Sequence, residues 1–284
     1  MLLKRFLLLS VLILAVGCRS ISPSSSGRLS IGVISFGESD RSVEQYSELK
    51  DYLGGELKSL VELEPAYNEL KALEEINRKR WDIVFAPPGL AAIAISQAQY
   101  MPLFPIEGGL RTRSVIVVLK DNPIEDLRQL AGKTVALGQP GSATGYYLPI
   151  YNLYGLTLAE VRFAATPKIV LELIANQEVA AGAMSLAEFN QYRSEFPGVR
   201  FRILYTDSHI VPSGAVLVSP DLDPAQKDKI RETLTKVSPA VASSAGYITN
   251  APPPDYQYLI AVVDRVVPIA ERIKQKPAPL YEQK

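Results

Sequence analysis

From Arg28 onward, short β-branched runs alternate with segments whose apolar residues recur at helical spacing, and this alternation restricts the fold more than any other feature. Leu29–Phe36, Val61–Leu63, Asp82–Ala86, Ser114–Leu119, Thr134–Leu137, Val161–Ala164, Ala180–Met184, Phe201–Tyr205 and Gly214–Val218 read as strands. Between them, Ser42–Leu60 carries Val43, Tyr46, Leu49, Leu53 and Leu57 on one helical face, and Asn68–Arg78, Gly89–Gln97, Thr144–Tyr154, Lys168–Asn176 and Leu186–Arg193 read as further helices. Pro224–Ser244 and Tyr256–Lys274 are expected to close the chain as two long helices. Strands and helices in this order imply an α/β fold with a largely parallel sheet. Ser114–Leu119 and Gly214–Val218 lie about one hundred residues apart and bracket a self-sufficient α/β block. They read as two crossover strands, one leaving a first lobe and one returning to it. The expected division is residues 28–116 with 214–284 as lobe 1 and 117–213 as lobe 2.

Composition narrows the chemistry. The chain is 47% hydrophobic and 21% charged, as expected of a folded globular protein. Thirty Lys and Arg balance thirty Asp and Glu, so no basic field calls for nucleic acid. One cysteine, Cys18, and one histidine, His209, leave no disulfide, no His-pair or Cys-rich metal site and no Cys/His dyad. Neither a metal nor another cofactor is expected, and an enzyme has little to work with.

The N-terminus reads as an address. Lys4 and Arg5 precede the apolar run Phe6–Val16, which falls well short of the roughly twenty residues a spanning helix needs. The break Leu14-Ala15-Val16-Gly17-Cys18 resembles the lipobox of bacterial lipoproteins. That resemblance implies a signal peptide over residues 1–17, a lipidated Cys18, and a Ser/Pro-rich tether over residues 18–27; an ordinary secretory signal with an incidental cysteine is the alternative. The body would then be extracytoplasmic and held at a membrane surface by its acyl chains.

The stretch Gly132–Tyr147 carries the most chemistry. It reads as a strand, a Gly/Pro turn and a helix start, with Ser142 or Thr144 able to cap that helix. Unpaired N–H groups of a first turn, together with the positive dipole end, form an anion pocket, and the two hydroxyls add donors. A capped helix without any ligand has the same pattern. A P-loop is excluded because Ala143 stands where the second glycine belongs and no lysine follows, and a nucleophile elbow because Ser142 directly follows Gly141.

Over roughly residues 28–250 the chain resembles the substrate-binding proteins of phosphate/phosphite/phosphonate ABC importers. The segments that carry the resemblance are Asp82-Ile83-Val84-Phe85 with Pro88, Arg113–Val118, Gly132–Ala136, Gly141-Ser142-Ala143-Thr144-Gly145-Tyr146, and Leu173–Asn176 leading into Val179–Ala183. The resemblance implies the two-lobed periplasmic-binding type II fold, with a ligand cleft between lobes joined by two crossover strands. It also implies a monomer that captures a small oxyanion and delivers it to an ABC permease and its ATPase. A sensor of the same fold that signals to a membrane receptor is the alternative. Several family groups are replaced here. Its Ser-Thr-Ser reads Ser142-Ala143-Thr144, its Ser-His-Asp reads Thr166-Pro167-Lys168, and its acidic residue in the Val-Asp-Ala-Gly segment is Ala180. Losing donors removes discrimination built on them, so an aminoalkylphosphonate is disfavoured.

The candidate ligand-binding residues are Pro88, Ser142, Ala143, Thr144, Gly145, Tyr146, Ser185 and His209. Ser185 starts a helix after a strand end, where either a cap or a ligand hydroxyl belongs. His209 precedes the second crossover, as an anion donor or an exposed loop residue. Arg111 and Arg113 precede the first crossover, where a guanidinium serves an oxyanion or a salt bridge.

Overall fold

A computed structural model of the chain describes residues 27–34, 42–107 and 112–282. The expected signal segment, Cys18 and Arg111 lie outside these residues. The first part runs β1 (Arg28–Ile34), α1 (Ser47–Leu57), β2 (Leu60–Ala66), α2 (Glu69–Asn77), β3 (Ile83–Ala86), α3 (Pro88–Ser96) and β4 (Met101–Pro105). The second comprises β5 (Ser114–Leu119), β6 (Thr134–Leu137), a π-helical turn (Ala143–Tyr147) continuing into α4 (Leu148–Asn152), β7 (Thr157–Leu158), β8 (Glu160–Phe163), α5 (Pro167–Ala175), β9 (Ala181–Ser185), α6 (Leu186–Tyr192) and β10 (Phe201–Thr206). The chain ends with β11 (Ala215–Val218), α7 (Pro224–Lys236), α8 (Pro239–Ala245), α9 (Gln257–Val266) and β12 (Ala278–Pro279).

Two five-stranded sheets result, ordered β2-β1-β3-β11-β4 and β10-β5-β9-β6-β8. In the first, β1 lies parallel to β2 and β3, while β11 runs antiparallel to β3 and β4. In the second, β6 lies parallel to β8 and β9, while β5 runs antiparallel to β9 and β10. Each sheet is therefore a parallel core with antiparallel strands where the chain arrives or leaves. This is the two-lobed α/β architecture of type II periplasmic-binding proteins. All of β5 pairs within the second sheet, so the first passage between lobes is complete before Ser114, upstream of the boundary read at residue 117.

Three elements depart from the sequence reading. β4 (Met-Pro-Leu-Phe-Pro) contains two prolines and escaped notice; it is an edge strand, where a missing N–H costs no ladder bond. The expected helix Pro224–Ser244 breaks between α7 and α8, because Pro239 denies a helical N–H and disfavours helical geometry at Ser238, which instead caps α8 through the Val241 N–H. The expected helix Tyr256–Lys274 ends its α-helical part at Val266, two residues before Pro268. The C-terminal residues assigned to lobe 1 also divide. β12 pairs with β7, which precedes β8 of the second sheet, and Leu280 N bonds to Leu156 O at 2.9 Å. α9 buries Leu259, Val262, Val263 and Val266, one stripe at helical spacing, and packs on both α3 and α4. One continuous apolar cluster consequently joins Leu90 and Ala91 of the first lobe to Val135, Leu137 and Leu148 of the second through α9.

Candidate functional site

The turn after β6 is built from short-range hydrogen bonds. Ser142 has extended backbone geometry and its Oγ accepts the Gly145 N–H at 3.0 Å, the cap read from the sequence. Its carbonyl accepts both Tyr146 N (3.2 Å) and Tyr147 N (3.1 Å); the second of these bonds spans five residues and makes the turn π-helical. The N–H groups of Ala143 and Thr144 precede the first residue with an intrahelical acceptor. Thr144 is buried, and its carbonyl accepts the Ser114 hydroxyl at 2.7 Å. Ser114 thus fastens the start of β5, just past the first crossover, to the base of the turn. Its own carbonyl accepts Asp207 N at 2.9 Å, where the second crossover begins.

The first lobe presents a helix end to this turn. α3 starts at Pro88 behind Pro87, with no side-chain cap, and Gly89 and Leu90 follow in its first turn. Gly89 packs directly on the turn: a Cβ there would lie 2.1 Å from Gly141 O and 2.6 Å from Ala143 N. Two helix N-termini from different lobes, each with positive dipole ends, therefore converge on the same place. Pro88, Ser142, Ala143, Thr144 and Gly145 share this junction.

The other candidates stand apart from it. Tyr146 is 1% exposed, its ring edge-on to Tyr147 at 4.9 Å and tilted against Phe163 at 6.0 Å. Burial, with the Glu271 carboxylate adding to it, pushes its phenol up to about 12. Its hydroxyl is buried and has no hydrogen-bond partner among the described residues. Tyr147 is the ring that reaches back: burial raises its phenol most, Tyr146 adds to that, and a backbone hydrogen bond with Gly141 opposes both. The Ser185 hydroxyl is engaged in a capping box, accepting Glu188 N at 3.0 Å while Glu188 Oε2 accepts Ser185 N at 2.8 Å. His209 stacks on Tyr258 of α9 (3.6 Å, 19°) and places Nδ1 3.1 Å from Oδ1 of the buried Asp207. Asn152 Nδ2 donates to the other Asp207 oxygen at 2.7 Å. His209 is held by α9 and the second crossover, not by the turn. Arg113 is half-buried beside Ser114, and its carbonyl accepts Leu186 N at 2.9 Å. It forms no salt bridge among the described residues.

Sequence reasoning missed Gly89, Ser114 and Asp207. Pro87-Pro88-Gly89 at a helix start was a visible signal for a bare, close-packed helix end. Ser114 and Asp207 gave none, because their partners are 30 and 55 residues away. Two surface cavities of about 430 and about 390 Å³ belong to the second lobe, lined by Asn122, Ile124 and Lys133 and by Lys120, Arg193 and Arg200, respectively. Neither is lined by a residue of the turn.

Residues 31–258 match the family model of the ABC transporter, phosphonate, periplasmic substrate-binding protein. The chain belongs to this phosphonate-binding family. As a family member it is a transport component, not an enzyme; such proteins are extracytoplasmic, bind a small ligand and work with permease and ATPase subunits. Among solved structures it is similar to a Xanthomonas citri protein bound to ATP, at 26% identity and TM-score 0.68, covering 84% of this chain and 98% of that one. A binding protein component of an ABC phosphonate transporter from Pseudomonas aeruginosa aligns at 14% identity and TM-score 0.61, covering 87% and 88%. A Prochlorococcus marinus protein in complex with methylphosphonate aligns at 15% and 0.61, covering 84% and 98%. The last two establish the shared fold. No curated protein sequence matches the chain.

Proposed function

We propose that this phosphonate-family member is the lipid-anchored, monomeric solute-binding component of an ABC importer, and that it captures a small oxyanion of the phosphate, phosphite and phosphonate class as its lobes close. The observation that carries the reading is the junction of α3 with the π-helical turn. There the first-turn N–H groups of Gly89 and Leu90 come from one lobe and those of Ala143 and Thr144 from the other, beside the Thr144 side chain. Backbone donors at helix ends hold an anion without a metal and need no reorganisation when it arrives. Arg113, which precedes the first crossover, is the candidate for the formal positive charge that the turn lacks. Ser142 both shapes the turn, by accepting the Gly145 N–H, and keeps its own O–H free to donate to the ligand. Ser185 and Tyr146 play secondary parts, and Pro88 and His209 border the cleft from α3 and the second crossover. A ligand that touches both lobes binds the closed state better than the open one, and that difference drives closure.

The test is a thermal-shift panel on the purified protein, refolded from denaturant to strip carried-over ligand. Its arms are phosphate, phosphite, methylphosphonate, 2-aminoethylphosphonate and sulfate, with ATP included because the Xanthomonas citri relative was solved with it. At a hundred times the dissociation constant a ligand adds about 2.7 kcal/mol, which raises the midpoint by roughly 5–10 °C for a chain this long. One small phosphorus anion is expected to give the shift and sulfate none. Thr144→Val should then weaken that ligand at least several-fold. No shift in any phosphorus arm ends the oxyanion reading. For the anchor, Cys18→Ser is expected to move the protein from the membrane fraction to the soluble one; retention in the membrane fraction removes the lipidation proposal.

A further inference from the structure

Gly89 and Gly141 meet across the gap between the lobes with no side chain between them. A Cβ on Gly89 would come within 2.1 Å of Gly141 O, 2.6 Å of Ala143 N and 3.0 Å of Gly141 C. A Cβ on Gly141 would come within 2.9 Å of Glu69 Cβ and 3.0 Å of Leu90 Cδ2. The atoms in the way of the first are backbone, so nothing flexible can swing aside. Ordinary contact begins near 3.4 Å, and an alanine at 89 must therefore push the turn away by over an ångström.

Local rules do not ask for glycine at position 89. It sits in the first turn of α3 without a positive φ, and alanine is the better helix former there. Only the tertiary contact opposes a side chain. Gly141 differs: φ of +114° is itself hostile to any L side chain, so the turn and the contact both require glycine. Two bare positions from distant parts of the chain, Gly89 against the Gly141 carbonyl and Gly141 against Glu69 and Leu90, set how closely the helix-end N–H groups approach.

We infer that Gly89 and Gly141 determine ligand size, and this rests on the oxyanion reading above. With both positions bare, the lobes close to van der Waals contact and the two helix ends share one small anion. The attraction of a helix end falls away within its first turn, so an anion held by both ends must be compact. A ligand carrying an extended substituent has to hold the lobes apart and gives up one end. The expected order of affinity is phosphite and phosphate first, then methylphosphonate, then 2-aminoethylphosphonate.

Gly89→Ala tests this, because helix propensity and the lobe contact push it in opposite directions. Calorimetric titration of the four anions into the full-length protein is expected to show phosphite or phosphate weakened at least tenfold in Gly89→Ala. 2-Aminoethylphosphonate should lose the least, so the size ranking flattens. In parallel, spin labels on Asp51→Cys and Gln191→Cys, in a Cys18→Ser background, report the distance between lobes. That distance is expected to lengthen in Gly89→Ala, while the variant still unfolds in a single cooperative transition without ligand. Unchanged affinities across the series overturn the inference, and so does an equal loss for all four, which a general packing defect would produce. If the wild type binds none of the four, the oxyanion reading fails, and the labels then judge the contact separately. A longer distance in Gly89→Ala keeps the glycine contact as the closing stop, and equal distances remove it.

Discussion

The two helix ends that meet at the cleft are built by opposite means. α3 begins Pro87-Pro88-Gly89 and has no side-chain cap; its geometry is held by proline rings that pre-set φ. The second-lobe turn has no proline between Ser142 and Tyr147. It is held by Ser142 Oγ on Gly145 N, by the Ser142 carbonyl shared between Tyr146 and Tyr147, and by Ser114 beneath Thr144. One end is stiff through covalent restriction and the other through buried hydrogen bonds. The first should therefore tolerate changes in its cap but not in its contact surface. The second should fail wherever a hydrogen bond is lost.

Substitutions ranked by expected effect can break that contrast. Gly141→Val puts a β-branched residue at φ +114° against Glu69 and Leu90, and should cost about 3 kcal/mol or more in urea unfolding; a loss below about 1 kcal/mol would mean that the turn relaxes freely. Ser114→Ala leaves the buried Thr144 carbonyl without its donor, an expected loss of about 1–3 kcal/mol. Anion affinity should fall with it although Ser142 and Thr144 are untouched, and full affinity would cut the link between β5 and the turn.

The caps themselves give a sharper pair. Ser142→Ala should cost about 1 kcal/mol, as loss of an N-cap does. Pro87→Ala should cost about half that, through the entropy of the unfolded chain alone. Equal costs would erase the distinction between the two ends. Tyr146→Phe is the smallest change, neutral or stabilising, because the hydroxyl it removes is buried without a partner among the described residues. Its folded pKa is raised from 10.0 to about 12, so its contribution is full below pH 10 and is lost as pH rises toward 12. The phenylalanine variant should show a smaller alkaline loss of stability. A marked drop in ligand affinity would instead assign the hydroxyl to the ligand.

What could be read from the chain follows the range of each interaction. The strands Ile83–Ala86, Ser114–Leu119 and Thr134–Leu137 declare themselves because side-chain period and β-branching are local. The Ser142 cap and the helix behind it are equally local, since donor and acceptor stand three residues apart. β4 was hidden by Pro102 and Pro105, whose tolerance depends on an edge position in the sheet. His209 was legible as the residue that precedes a crossover, while the ring it stacks on, Tyr258, lies 49 residues further along and was not.

The amino-acid order by itself determined the α/β alternation, the Ser142-capped turn at Gly141–Tyr146 and the family to which they belong. All three depend on neighbours within a few residues, where backbone geometry and side-chain spacing suffice. Only the tertiary structure decided that α9 packs on both α3 and α4, that Ser114 underlies Thr144, and that Gly89 rests on Gly141. Each of these joins residues at least 30 positions apart, and such contacts form only once the chain has brought distant apolar faces together.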